Sequence, residues 1–124
     1  MKVFPDLKYF KPGEFSCGCG CGENNMQPTF LWKLEQAREL ACIPFPITSG
    51  FRCQDHNEKV GGKKSSDHIS GRGVDIKATT GREKFLIVNA GLNAGITRIG
   101  VGKNFVHLGD GQNNPKRVLW IIRG

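Results

Sequence analysis

A histidine and an aspartate seven residues apart, His68 and Asp75, stand in the run Ser65-Ser66-Asp67-His68-Ile69-Ser70-Gly71-Arg72-Gly73-Val74-Asp75-Ile76. Gly71 and Gly73 let the backbone between them turn tightly, because glycine reaches positive φ without a Cβ clash. Val74, Asp75 and Ile76 read as the start of a strand, with Asp75 on one face and its apolar neighbours on the other. His68 then stands at the mouth of a turn and Asp75 points back at it. Imidazole and carboxylate are both zinc ligands. A third ligand comes from Phe105-Val106-His107-Leu108, another apparent strand with His107 on the face opposite Val106 and Leu108. Three protein ligands leave one coordination position open, which is the mark of a catalytic zinc rather than a structural one. By spacing alone, His68 and Asp75 read as a turn histidine and a solvated acid. The third histidine in a strand brings the metal reading level with that one.

The elements that must position these residues form a small α+β pattern. Residues 1–25 make an N-terminal arm with a cysteine-rich segment. Phe4, Leu7, Tyr9 and Phe10 pin the arm to the body, and residues 14–25 are irregular or briefly extended. A helix is expected from Pro28 to about Ala41, with proline in its first turn and Phe30, Leu34, Ala37 and Ala41 on one face. Trp32 and Lys33 are expected outside that face. Pro44 and Pro46 end the helix, and a strand runs from Phe45 to Arg52. Gln54 to Val60 fits one or two helical turns. After a strand at Val74–Ala78, Thr80 and Glu83 fit a capping box that starts a second main helix, from about Gly81 to Leu92. Its expected buried stripe is Phe85, Val88 and Leu92. Thr97–Val101 and Phe105–Leu108 read as paired strands, and Arg117–Arg123 as a closing strand. The expected whole is one domain, an antiparallel sheet packed with two main helices.

The chain has 124 residues, with 18 Lys and Arg against 11 Asp and Glu, for a net charge of +7. That excess suits an anionic partner such as the bacterial wall or a nucleic acid. The cations are spread along the chain, with no Arg-rich helix, helix-turn-helix signal or aromatic ribonucleoprotein-type run, so a nucleic acid is not expected. No run has the 18 or more apolar residues of a membrane span, so no stable membrane association is expected either. Met1-Lys2-Val3-Phe4-Pro5-Asp6 breaks too early for a secretory signal peptide. Of the five cysteines, Cys17, Cys19 and Cys21 alternate with glycines, and Cys42 and Cys53 lie apart. An odd number leaves at least one without an intramolecular partner. In extended conformation the alternating three share a face. They suit a second metal site or disulfides to Cys42 or Cys53, although zinc knuckles usually have two intervening residues rather than one.

Ser66-x-His68-x-x-Gly71-x-x-x-Asp75 resembles the S-x-H-x-x-G-x-A-x-D signature of zinc D-Ala-D-Ala carboxypeptidases and related murein peptidases, a family with the hedgehog/DD-peptidase fold. Ser49-Gly50-Phe51-Arg52 is similar to the family's S-G-[YF]-R motif. Asn57 with Val60-Gly61-Gly62 is similar to its N-x-x-V-G-G run, and Phe105-Val106-His107 to its final ligand strand. Glu14-Phe15-Ser16-Cys17 matches a Glu-Phe-x-Cys-x-Cys-Gly stretch common in the family, here read as structural. The motifs come in family order from about Glu14 to Asp110.

The resemblance implies Zn2+ held by His68, Asp75 and His107, and a peptidoglycan stem peptide as substrate. It implies that Arg52 lies at the zinc site, to polarise the scissile carbonyl or hold a substrate carboxylate. Ser66 would orient the ligand or contact substrate. Family members usually place the general base two or three residues before the last ligand. Those positions are Asn104 and Phe105 here, and neither is basic. Asp110 is the nearest carboxylate in sequence and the first candidate for the base, with Asp67 and His56 as alternatives. The expected function is hydrolysis of stem-peptide bonds involving D-amino acids, as a D,D-carboxypeptidase or endopeptidase in cell-wall lysis. The enzyme is expected to be a monomer, made in the cytoplasm and reaching the wall through phage or prophage lysis or within a virion. The alternative is a wall-binding or virion module that keeps the zinc but turns over weakly or not at all.

Overall fold

The computed structural model describes residues 4–123. The expected arm and the reading of the N-terminus fall partly on Met1, Lys2 and Val3, which lie outside the described residues. The elements run α1 (Pro28–Ala41), β1 (Ile47–Ser49), α2 (Gln54–Lys59), β2 (Gly73–Lys77), α3 (Gly81–Asn93), β3 (Arg98–Val101), β4 (Phe105–Gly109) and β5 (Val118–Ile121), after a 3-10 turn at Pro12–Phe15. Among the described residues no helix is long and apolar enough to cross a membrane.

The strands form one sheet in the order β1-β2-β4-β3-β5. All neighbours are antiparallel except β3 and β5, which run parallel. The expected antiparallel sheet is therefore mixed at one edge. Val74 and Ile76 of β2 and Val106 and Leu108 of β4 are buried on one face, where they join the core with Phe30, Leu31, Leu34 and Ala37 of α1. That alternation frees the other face of the same strands for polar side chains.

Helix α1 starts and ends where the prolines and the apolar stripe place it, and Cys42 closes it in left-handed conformation. Helix α3 begins at the capping box: Glu83 N–H donates to Thr80 Oγ1 at 3.1 Å, and Thr80 N–H donates back to Glu83 Oε1 at 3.1 Å. Its buried stripe differs from expectation. Phe85 and Leu92 are 69% and 60% exposed, and the helix buries Ile87, Ala90 and Gly91. The reason is close packing on the sheet. A Cβ on Gly91 would stand 2.9 Å from Leu108 Cδ2, so glycine at this position lets α3 lie close against β4, with Ile87 and Ala90 buried on the same side. The N-terminal segment packs as expected, with Phe10 and Phe15 buried and Phe4, Leu7 and Tyr9 against the core.

Candidate metal centre

Register brings the first two site residues together. Asp75 on β2 and His107 on β4 are direct cross-strand partners. Ser49 pairs with Asp75 from β1, Gly100 with His107 from β3, and Trp120 with Gly100 from β5. Paired residues share a face of the sheet, so Ser49, Asp75, His107, Gly100 and Trp120 form one row across it. A Cβ at Gly100 would lie 2.7 Å from Ile122 and 2.9 Å from Trp120, so glycine here leaves room for the indole. The Trp120 ring centroid lies 5.7 Å from that of His107.

His68 arrives from the turn that precedes β2. Ser66 Oγ accepts its N–H at 3.2 Å, and its carbonyl accepts the Arg52 N–H at 3.2 Å. Gly71, at φ +71°, lets the turn pass under α1, where its carbonyl accepts the Gln27 N–H at 2.9 Å. A Cβ at Gly71 would lie 2.0 Å from the Asn25 carbonyl oxygen.

Each histidine has one nitrogen committed away from the site. His68 Nδ1 lies 2.7 Å from the Gly50 carbonyl, which can only accept, so Nδ1 carries the proton and Nε2 is the free one. His107 Nε2 lies 2.8 Å from Asp67 Oδ2, which leaves Nδ1 toward Asp75. His68 Nε2 and His107 Nδ1 converge on a single oxygen, Asp75 Oδ1, at 3.3 and 3.0 Å. Zinc bonds to nitrogen and oxygen of about 2.0–2.2 Å imply tetrahedral edges of about 3.3–3.6 Å. The donor set fits such an ion with little movement, and His68, Asp75 and His107 together could hold a metal. Carboxylate or carbonyl partners on the far nitrogens of metal-bound histidines are the usual way such ligands are oriented.

The electrostatics agree. Burial works against the Asp75 carboxylate, but hydrogen bonds from His107 and His68 outweigh it and hold the group well below the usual carboxylate range. Burial likewise disfavours a charged His107, and the flanking Asp67 and Asp75 carboxylates more than reverse that, raising its pKa. Each of its ring nitrogens faces a carboxylate oxygen, Nε2 toward Asp67 Oδ2 at 2.8 Å and Nδ1 toward Asp75 Oδ1 at 3.0 Å.

Asp67 sits in a slot made by absent side chains. Cβ atoms at Gly73, Gly109 and Gly111 would each fall within 2.5 Å of an Asp67 side-chain atom. In the slot its carboxylate also accepts from Arg98 Nε at 3.0 and 3.1 Å, Gly111 N at 3.1 Å and Asn114 Nδ2 at 2.9 Å. Burial raises its pKa, but the His107, Asn114 and Arg98 bonds prevail and lower it to about 2. Such a carboxylate orients a histidine well and takes a proton poorly.

Arg52 reaches the site from just beyond β1. Its guanidinium donates to Ser49 Oγ at 3.2 Å and Asn57 Oδ1 at 3.1 Å, and lies 3.5 Å from Asp75 Oδ2. Asn57 is almost wholly buried and also donates to the Lys63 carbonyl at 2.8 Å. A Cβ on Gly62 would strike it at 2.1 Å. The asparagine and the glycine pair thus hold Arg52 and the 61–63 loop as one unit. A cleft of about 560 Å³ opens over the centre, lined by Arg52, Lys63, Ser66, Asp67, His68 and Asp75, then by Arg98, Phe105, His107, Val118 and Trp120.

Asp110 is not brought to the site. Beyond the end of β4 its buried carboxylate turns to α1, pairing with Lys33 at 2.8 Å and Arg72 at 3.3 Å. It does not line the cleft, and its carboxylate is engaged by Lys33 and Arg72 rather than turned toward His68, Asp75 and His107, where the expected base role would need it. His56 is also elsewhere, on α2 with its ring against Gly18. Sequence reading missed Arg98, Asn114 and Trp120. No local pattern marks them, because they meet Asp67 and His107 only through the registers of β3 and β5 and through the 110–117 loop.

The family model described as Peptidase M15 matches residues 8–109. No curated protein matches the chain significantly. The chain belongs to the peptidase M15 family of zinc peptidases, and it is a metallopeptidase with an α+β fold consistent with that family.

Proposed function

We propose that this M15 zinc peptidase hydrolyses peptidoglycan stem-peptide bonds that involve a D-amino acid, as a D,D-carboxypeptidase or endopeptidase in cell-wall lysis. The observation that carries the reading is the convergence of His68 Nε2 and His107 Nδ1 on Asp75 Oδ1, with the far nitrogen of each ring already tied to an oxygen. Zinc, when bound, supplies Lewis acidity toward a peptide carbonyl and a water. The chain's own residues do the rest. Arg52 offers its remaining N–H donors to a carbonyl or terminal carboxylate of the substrate, with Lys63 adding positive charge on the same cleft. Phe105, Val118 and Trp120 give the opposite wall an apolar surface for the flanking residue. Asp67 keeps His107 in place rather than moving the proton. The +7 charge suits an acidic wall polymer. The place of action is the wall, reached by a monomer through phage or prophage lysis or within a virion.

One observation favours a second reading. Asp67 is the sole carboxylate besides Asp75 among the described residues lining the cleft, and it is saturated with donors. A centre without a competent base suits a zinc-stabilised wall-binding module with weak or no turnover. Digestion of purified peptidoglycan, with mass spectrometry of the released ends, decides between them. The peptidase reading expects new termini at a D-amino acid linkage, absent with His68→Ala. A folded, zinc-loaded protein that leaves several wall types uncut would replace it with the second reading.

A further inference from the structure

Four of the five cysteines gather at a place the peptidase centre does not use. Cys17, Cys19, Cys21 and Cys53 put their sulfurs within 4.8 Å of one another. The Cys17–Cys19, Cys17–Cys53 and Cys19–Cys53 Sγ distances are 3.5, 3.7 and 3.7 Å. A disulfide would need about 2.05 Å. A tetrahedral zinc with bonds to sulfur of about 2.3 Å has edges of about 3.8 Å. The three measured distances therefore outline one face of a tetrathiolate site, with Cys21 as the fourth corner. Cys42 stands apart, with its thiol on the Glu39 carbonyl at the end of α1.

The one-residue spacing of Cys17, Cys19 and Cys21 is not an obstacle, because the segment is not extended. Gly20 and Gly22 have φ of +86° and +80°, and Gly20 N–H closes a turn onto the Cys17 carbonyl at 3.3 Å. The glycines curl the chain where a longer spacing would otherwise be needed. Backbone amides also point at the sulfurs, as they do around metal thiolates: Cys53 N–H to Cys17 Sγ at 3.4 Å, and His56 N–H to Cys53 Sγ at 3.5 Å.

We propose that Cys17, Cys19, Cys21 and Cys53 form a second, structural zinc site that fastens the N-terminal segment to the turn carrying Arg52. Binding takes four thiolates, so four thiol protons leave to solvent and the site carries two net negative charges. Its four protein ligands leave no open position, in contrast to the His68, Asp75 and His107 set. Cys53 follows Arg52 directly, and Phe51 N–H is tied to the Phe15 carbonyl at 2.9 Å. The ion thus closes a clamp whose far side is the cleft.

The test is metal content by plasma mass spectrometry of the whole chain purified under reducing conditions. The expected result is two zinc equivalents per chain. Cys19→Ser/Cys21→Ser, made at two exposed positions, should lose one equivalent and keep the other. His68→Ala/His107→Ala should keep the cysteine-bound one. In that histidine variant, cobalt(II) should give an intense visible spectrum with a thiolate-to-metal charge-transfer band. One equivalent in the wild type that the cysteine variant leaves untouched would overturn the proposal without bearing on the peptidase centre. So would iron in place of zinc, or disulfides among these cysteines after alkylation under native conditions.

Discussion

Replacing Asp67 with asparagine separates two roles that one carboxylate could have. The side chain keeps its shape and loses its charge. In the structure the carboxylate accepts the His107 Nε2 proton at 2.8 Å and meets Arg98, Gly111 and Asn114 at 2.9–3.1 Å. An amide has one acceptor oxygen, so at least one of these donors would face an N–H instead. Loss of such a partner to a metal-bound histidine typically weakens metal binding about 10–100-fold, or about 1.4–2.7 kcal/mol. Arg98, which is partly exposed and keeps its bond to the Pro115 carbonyl, would also lose its counter-charge, at a cost of about 1–3 kcal/mol. The assay is competition for zinc with a chromophoric chelator, run beside urea unfolding of the metal-free protein. As a positioning residue, Asp67→Asn should bind zinc more weakly by that factor, unfold at lower urea, and recover most cleavage in excess zinc. Unchanged zinc affinity with turnover abolished at saturating zinc would refute this reasoning and make Asp67 the general base.

Other outcomes follow from the same geometry. Gly109→Ala puts a Cβ 2.5 Å from Asp67 Oδ2 and 2.8 Å from His107 Nε2, so it should cost about 1–3 kcal/mol and weaken zinc binding. Gly81→Ala, with nothing within 4 Å, should be neutral or slightly stabilising in the same urea titration. Asp110→Asn should leave zinc affinity and cleavage intact while destabilising the chain by about 1–3 kcal/mol, because Lys33 and Arg72 lose their partner. The Asp67 carboxyl titrates at about 2 in the fold against 3.8 unfolded, so the unfolded chain binds more protons in between. Its contribution to the metal-free protein is complete above about pH 4 and fades toward pH 2, and urea midpoints against pH should fall less steeply in Asp67→Asn than in the wild type. Zinc should leave the His68, Asp75 and His107 set on acidification, since protons compete for ligands whose carboxylate neighbours already favour protonated His107. Metal content after dialysis across pH reads this directly.

The legible parts were those written locally. Alternation in Val74-Asp75-Ile76 and Val106-His107-Leu108 reports which face each side chain takes, and the structure has the apolar members at 0% exposure. Pro28 and the Thr80–Glu83 box mark helix starts by chemistry that needs no tertiary context. What was not legible depends on contacts distant in sequence. Asp110 follows β4 closely, but nearness to His107 in sequence does not say where the chain turns, and Lys33 on α1 captures it. Helix α3 carries two apolar stripes, and which one is buried depends on tertiary packing, including the close approach of Leu108 to Gly91. The parallel pairing of β5 with β3 has no local signature at all. Asp67 was visible beside His68, but its role depends on the room left by Gly73, Gly109 and Gly111.

The most direct test of the central claim is zinc add-back. The protein is stripped with chelator, checked for retained fold by circular dichroism, and incubated with purified peptidoglycan before and after zinc is restored. The account predicts no release of stem-peptide ends from the stripped protein, release on zinc addition, and none from His68→Ala at the same zinc concentration. Release that persists without metal, or that survives His68→Ala, would contradict a catalytic zinc held by His68, Asp75 and His107.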